Sequence, residues 1–376
     1  GIELMKMKME GTPSVNQWLL QVLDQESIVA VDENLFTYKE YETLVDELSP
    51  VNVTMVEDPF SEIWGDRPAL EFHQVEHMPE EISGESISSK HSRINSIFNF
   101  PYPYAYIVTA LDEIAWLCNI RGTDVEYNPL VLSYAVVTRE KITLFAAEER
   151  FTSDAIAYVC GQGVEIRPYD SFTKYLKNLD KEYVRIFSSN KVTAKNYMAA
   201  LENTHPSSMY PTLMADPILG GTINMMKSVK NGVELDGFRK ACVEDAKAWG
   251  KLRAYLKENI LDKSEEEYAA APLTEYEIAQ KLIEFRKESP DYRGESFEPI
   301  VAYAANGALP HYSATEKSSS VVQKRGFLLI DSGAQYIYGT TDTTRTIPMG
   351  PLTEEEMGDY TAVLKGMVDL SMAIFP

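Results

Sequence analysis

Phe327-Leu-Leu-Ile-Asp-Ser-Gly-Ala-Gln-Tyr-Ile-Tyr-Gly-Thr-Thr-Asp-Thr-Thr-Arg-Thr-Ile347 reads as two strands folded back on each other, with an acid on each arm. A turn centred between Tyr336 and Ile337 sets Gln335 against Tyr338, Gly333 against Thr340 and Asp331 against Asp342. Residues directly opposite in an antiparallel pair share a face, with Cβ atoms about 4.5–5.5 Å apart. Two like charges there are unfavourable unless a proton is shared or a cation is supplied. A divalent metal, or a pair of them, meets that need. Hard carboxylate oxygens suit Mn, Mg or Ca, and Zn or Co when a histidine joins. Two ions about 3.5–4 Å apart can activate water and polarise a carbonyl together. The plain alternative stays open: Asp331-Ser-Gly is also turn chemistry, Asp342 among threonines can face solvent, and a bulge would send one acid to the other face.

Around this hairpin the pattern is helical, then stranded. Residues 225–259 read as one long helix, with Val233, Leu235, Phe238, Ala241, Ala248, Leu252 and Leu256 roughly at helical spacing. Thr274-x-x-Glu277 is a capping box for a second helix running to about residue 287, and Thr353-x-x-Glu356 caps a last one. Strands are expected at 300–304, 326–331 and 336–347. His311, in Asn306-Gly-Ala-Leu-Pro-His-Tyr312, is the one histidine after His205 and the second candidate for the site. A lone loop histidine is more often structural.

The earlier part alternates helix and strand, which suggests α/β units. Helices are expected at 15–23, 38–48 and 110–117. Strands are expected at 27–32, 51–56, 105–109, 164–167 and 183–187, and a hairpin at 132–138 and 141–145 turning at Arg139-Glu140. The division that follows is 1–68, a linker at 69–87, 88–220 and 221–376. At about 150 residues per domain, 376 residues predict two to three domains. Lys+Arg number 35 against 57 Asp+Glu, a formal charge of −22. That excludes general nucleic-acid binding, which needs a basic face, and disfavours an anionic membrane surface. Cys118, Cys160 and Cys242 are too scattered for a disulfide framework or a CxxC metal site, so a reducing, cytoplasmic setting is expected. No run of apolar residues is long enough to span a membrane. His73 and His77 have the spacing of a helical metal pair, but Pro79 and the polar context favour a loop. Gly220-Gly221 lacks the lysine of a P-loop, and Cys118 reads as buried. The chain starts without Met and stops on an apolar stretch, so it reads as cut at both ends.

Two strings carry a resemblance. Asp331-Ser-Gly-Ala-Gln-Tyr-x-x-Gly-Thr-Thr-Asp342-x-Thr-Arg-Thr346, with Asn306-Gly-Ala-x-x-His-Tyr312 upstream, closely resembles the first metal motif of X-Pro aminopeptidases (aminopeptidase P). Thr109-Ala-Leu-Asp-Glu-Ile-Ala-Trp-Leu-x-Asn-x-Arg-Gly-x-Asp124-Val-x-x-Asn-Pro129 resembles the middle domain of their three-domain, cytosolic type. The resemblance implies creatinase-type (ribonuclease H-like) α/β domains, with 1–68 the C-terminal part of the first and 88–220 the second. It implies the N-terminal part of an α+β pita-bread catalytic domain at 221–376.

The same resemblance implies Asp331 as ligand of one metal, Asp342 as bridge between two, usually Mn2+ with Zn2+ or Co2+ as alternatives, and His311 as a substrate-binding residue beside them. One further His and two Glu ligands are expected beyond Pro376, so this fragment alone is expected to be inactive. The implied reaction is release of the N-terminal residue from short peptides with proline second, by a cytoplasmic homodimer. Two other readings are a prolidase-type dipeptidase and a non-catalytic pita-bread protein that binds peptides or partners.

Overall fold

The computed structural model describes residues 4–179, 185–188, 191–202 and 213–375. It divides into two compact units: residues 1–125 with 129–230, and residues 126–128 with 231–376. Residues 183 and 184 of the expected strand at 183–187 lie outside the described residues; the remainder opens the strand Arg185–Ser188.

The first unit is built on a six-stranded mixed sheet ordered Leu213–Ala215, Arg185–Ser188, Tyr104–Val108, Tyr134–Thr138, Ile142–Phe145, Val164–Arg167. The hairpin expected at Arg139-Glu140 forms, with Val137 opposite Ile142. Both faces of the sheet are covered. Tyr104, Tyr106 and Val108 join one core with helices Ile87–Ile97, Leu111–Leu117 and Ser153–Gly161, while Ala105 and Ile107 point into a second core under Phe172–Lys177 and Ala194–Leu201. Alternate residues of one strand thus serve two cores, as the period of a strand requires. Ahead of this sheet, the parallel pair Ile28–Asp32 and Asn52–Val56 is bridged by helix Tyr38–Leu48, whose Thr37 cap and Glu40 form a capping box. Within 69–87 the chain is packed: Val75 is fully buried, and Glu76–His77 pairs with Ile120–Arg121.

The helix expected at 225–259 is two helices. Thr222–Ser228 places Ile223 and Met226 in the first unit's core, and a new helix, Gly232–Leu256, starts at an Asn231–Glu234 capping box. Reciprocal capping ends one helix and starts the next more cheaply than bridging residues 229–231 in helical geometry. Ala241, Ala248, Leu252 and Leu256 of the long helix are buried as the spacing predicts, whereas Val233, Leu235 and Phe238 are not.

In the second unit that helix and Glu275–Lys287 pack on a three-stranded antiparallel sheet in which Phe327–Ser332 lies between Ile300–Tyr303 and Thr343–Pro348. Leu328 and Ile330 point into the helical core with Ile278, Leu282, Leu252 and Trp249. Phe327, Leu329 and Asp331 therefore face the other, open side of the sheet. A second small sheet joins Tyr292–Glu295, Ala334–Tyr336 and Gly339–Thr340. The last helix, Glu354–Met372, begins at the Thr353–Glu356 capping box. Among the described residues no helix is long and apolar enough to cross a membrane.

Candidate active site

The hairpin forms, but its register differs from the expected one. The turn is Ile337-Tyr338, so Tyr336 pairs with Gly339 and Gln335 with Thr340. The same register continues into the larger sheet, where Asp331 stands opposite Thr344 and Ser332 opposite Thr343. Asp331 and Asp342 are therefore diagonal neighbours, not a direct pair; such Cα atoms lie about 7–8 Å apart. A shift by two residues keeps each paired side chain on its face, whereas a shift by one would have reversed it; Asp342 itself lies just before the paired strand Thr343–Pro348. Thr344 Oγ1 donates to Asp331 Oδ1 at 2.6 Å. Asp331 is half-buried and Asp342 exposed. Neither acid joins a salt bridge among the described residues.

Tertiary docking explains the register. Tyr336 is buried with Ala334 against Ala241 of the long helix, which keeps it in the strand and out of the turn. Gly237, inside that helix, lets the turn approach: a Cβ there would lie 2.4 Å from the Tyr338 carbonyl oxygen. Glycine in a helix interior costs about 1 kcal/mol, here offset by the close contact it permits. On the return arm the Ser296 amide donates to the Gly333 carbonyl at 3.0 Å, and Ser296 Oγ donates to the Thr341 carbonyl at 2.9 Å. A Cβ on Gly333 would fall 2.0 Å from that Thr341 oxygen. Only glycine fits against the Thr341 carbonyl.

A buried cation holds the backbone just after Asp331. Arg286 is fully buried in the last turn of Glu275–Lys287. Its Nε donates to Asp245 Oδ1 at 2.8 Å, its Nη2 to Ser332 Oγ at 3.0 Å, and its Nη1 to the Gly333 carbonyl at 3.2 Å and to Glu295. Tyr292 donates to the other Glu295 oxygen at 2.8 Å. Burial pushes the Glu295 carboxyl above its ordinary range, against the pull of Arg286. The sequence carried a signal for this brace: Ile278, Leu282 and Arg286 repeat every four residues, a charge on an apolar stripe.

His311 sits in an exposed turn after the short 3-10 helix Ala304–Ala308. That loop crosses the open face of the sheet, since a Cβ on Gly307 would lie 3.9 Å from the Cβ of Leu329, two residues before Asp331 on the same face. Next to His311, Tyr312 donates to Glu275 at 2.7 Å. Burial, then this bond, pushes the Tyr312 phenol up to about 12, so it remains a donor through the neutral range. Asp331 thus stands on the side of the sheet that the loop bearing His311 crosses, and Asp342 lies just before the strand Thr343–Pro348. Among the described residues no group of three or more His, Cys, Asp or Glu side chains gathers to hold a metal ion. Two carboxylates and the threonine-rich strand Thr343–Pro348 are what these residues offer, a hard-oxygen donor set that fits a divalent cation.

Other histidines stand elsewhere. His77 lies in a short strand with its ring stacked on Tyr158 at 4.9 Å, and His73 Nδ1 is 3.5 Å from Asp124 Oδ1, so they do not form a helical pair. His205 is outside the described residues. Cys118 is buried, its thiol pushed up to about 12 by burial.

With this geometry in hand, comparison with known proteins can be read. Residues 66–234 match the creatinase/prolidase N-terminal domain, and residues 236–376 match metallopeptidase family M24. The hairpin and the helices Glu275–Lys287 and Glu354–Met372 lie within the second match. The chain's fold is mixed α/β, creatinase-type architecture leading into the pita-bread domain of that family. A similar protein, Xaa-Pro aminopeptidase 1 of Dictyostelium discoideum, is 33% identical over 385 residues, covering 100% of this chain and 59% of that protein. The crystal structure of X-prolyl aminopeptidase from Caenorhabditis elegans, described as a cytosolic enzyme with a di-nuclear active site, superposes with a TM-score of 0.87 at 27% identity, over 100% of this chain and 60% of that one. Xaa-Pro dipeptidase from Bacillus anthracis shares the fold, with a TM-score of 0.57 at 17% identity over 75% of this chain and 71% of that one. The chain spans about three-fifths of the length of the two aminopeptidases.

Proposed function

We propose that the complete protein is a metal-dependent aminopeptidase that releases the N-terminal residue from short peptides with proline in second position. The observation that carries this reading is the Asp331 carboxylate on the open sheet face under the His311 loop, with Asp342 on the return arm of the same hairpin, in a chain whose whole length aligns with Xaa-Pro aminopeptidases. Asp331 and Asp342 would contribute to holding two divalent ions, manganese in our reading, with one His and two Glu from residues outside this chain. When bound, the ions supply Lewis acidity and a water of lowered pKa for attack on the amide.

The chain's own residues do the rest. Thr344 orients the Asp331 carboxylate through its hydroxyl. Arg286 and Gly333 fix the backbone on which both acids depend. His311 meets the substrate and steadies charge developing on its carbonyl oxygen. Proline second gives a tertiary amide with a fixed φ and no N–H, a rigid shape that a pocket can select. The division of the chain into a first creatinase-type domain, a second one and a catalytic segment belongs to the same reading, as do a homodimer and a cytoplasmic setting.

Asp342→Asn in the complete protein tests the metal assignment. Elemental analysis of the purified variant is expected to show less bound metal than wild type, with unchanged circular dichroism and peptide turnover lost. Wild-type metal content with normal turnover would overturn it.

A further inference from the structure

The helix Glu275–Lys287 carries a second buried charge, at its first residue. Glu275 is fully buried, and among the described residues no Lys, Arg or His pairs with it. Its charge is met by hydrogen-bond donors and by the helix N-terminus. Those donors all come from one stretch of chain, residues 303–320. The Tyr303 amide donates to Oε1 at 2.6 Å, and Asn306 Nδ2 reaches Oε1 at 3.0 Å and Oε2 at 3.2 Å. The Tyr312 hydroxyl donates to Oε2 at 2.7 Å, and so does the Ser320 amide at 2.7 Å. The clasp runs both ways, because the Glu275 amide donates to the Ser320 carbonyl at 3.0 Å. Asn306 also reaches Tyr312 Oη and Ser320 Oγ, each at 3.1 Å.

One carboxylate therefore grips the loop at its entry, at its 3-10 turn, at the residue after His311 and at its exit. Between these anchors His311 is exposed, and the backbone bonds of its turn are local ones, Leu309 N to Asn306 O and Tyr312 N to Leu309 O, each 3.1 Å. Local turns set the shape of a loop tip; they do not set where the tip stands over the sheet. The Glu275 carboxylate does, and its oxygens are occupied by these donors.

We propose that Glu275 is a positioning residue for His311: it fixes the loop over the open sheet face and so governs how well the complete enzyme engages its substrate. The proposal rests on the reading above that His311 meets substrate. Glu275→Gln is the sharp variant. The amide keeps the shape but offers N–H₂ where an oxygen accepted, so one side of the clasp meets donor against donor. A displacement of about 1 Å at a substrate-positioning group can cost on the order of a hundredfold.

The experiment is a double-mutant cycle in the full-length protein, with kcat and KM measured on Gly-Pro-Ala for wild type, E275Q, H311A and the double variant. Glu275→Gln is expected to lower kcat/KM by about 10- to 100-fold on its own, and by no more than about twofold once His311 is alanine. Tyr312→Phe, which removes a single donor beside His311, runs through the same cycle and keeps the test decisive if E275Q does not fold. Its smaller loss is expected to vanish in the H311A background as well. Equal losses with and without His311 would show that the clasp acts through the fold alone and overturn the proposal. So would unchanged kcat/KM in folded E275Q. Failure of the underlying reading looks different: wild type would not cleave the peptide, or H311A alone would match wild type, and either result removes the proposal together with that reading.

Discussion

At one end of the helix Glu275–Lys287 a buried carboxylate gathers donors from a loop; at the other a buried guanidinium serves acceptors from two sheets. The apolar stripe between them, Ile278, Ala279 and Leu282, belongs to the core under the sheet. The Arg286 end has charged partners, Asp245 and Glu295, and grips regular strands. The Glu275 end has only neutral donors, and what it grips is an irregular segment. Losing a partner from a buried ion cluster strands opposite charges in a dry interior. Losing the acceptor for a loop releases a loop that water can reach. The first end should be read mainly in stability, the second mainly in substrate engagement.

The largest expected effect comes from Arg286→Ala in the complete protein. It leaves Asp245 and Glu295 buried without their cation, and breaking such a cluster costs about 3–5 kcal/mol. Urea denaturation should show that loss, far exceeding any loss in E275Q. Equal destabilisation of the two variants would erase the distinction between the ends of the helix. Gly333→Ala comes next. Its methyl must displace the Thr341 carbonyl, and overpacking of this kind costs about 1–3 kcal/mol. Because Gly333 packs on the carbonyl of Thr341, the residue before Asp342, its effect should appear in bound-metal content as well as stability. A G333A protein with wild-type stability and metal content would contradict the close approach on which the register rests.

Much of the second unit is legible in the sequence. Thr274-x-x-Glu277 and Thr353-x-x-Glu356 start their helices where the capping boxes predict, because a cap is decided by three or four neighbouring residues. The hairpin is legible too, with Asp331 and Asp342 on its two arms. Their direct opposition is not, because the turn position is set by Tyr336 burying against Ala241 and by the tip seating over Gly237, contacts nearly a hundred residues away in sequence. The break before Asn231 is written in an Asn-x-x-Glu box that the helical spacing around it obscures. Glu275 and Arg286 are visible only as charges on an apolar stripe. That pattern says they are satisfied, but their partners are fixed by how the sheet and loop fold back onto the helix.

The central claim is our proposal that this chain belongs to an enzyme that cuts before proline with metal held in part by Asp331 and Asp342. The most direct test is hydrolysis of Gly-Pro-Ala and Gly-Ala-Ala by the full-length protein, as purified, after EDTA, and after added Mn2+. The expected result is glycine released from the first peptide only, lost on chelation and restored by metal. No cleavage of Gly-Pro-Ala under any of these conditions, or cleavage indifferent to EDTA, would contradict it.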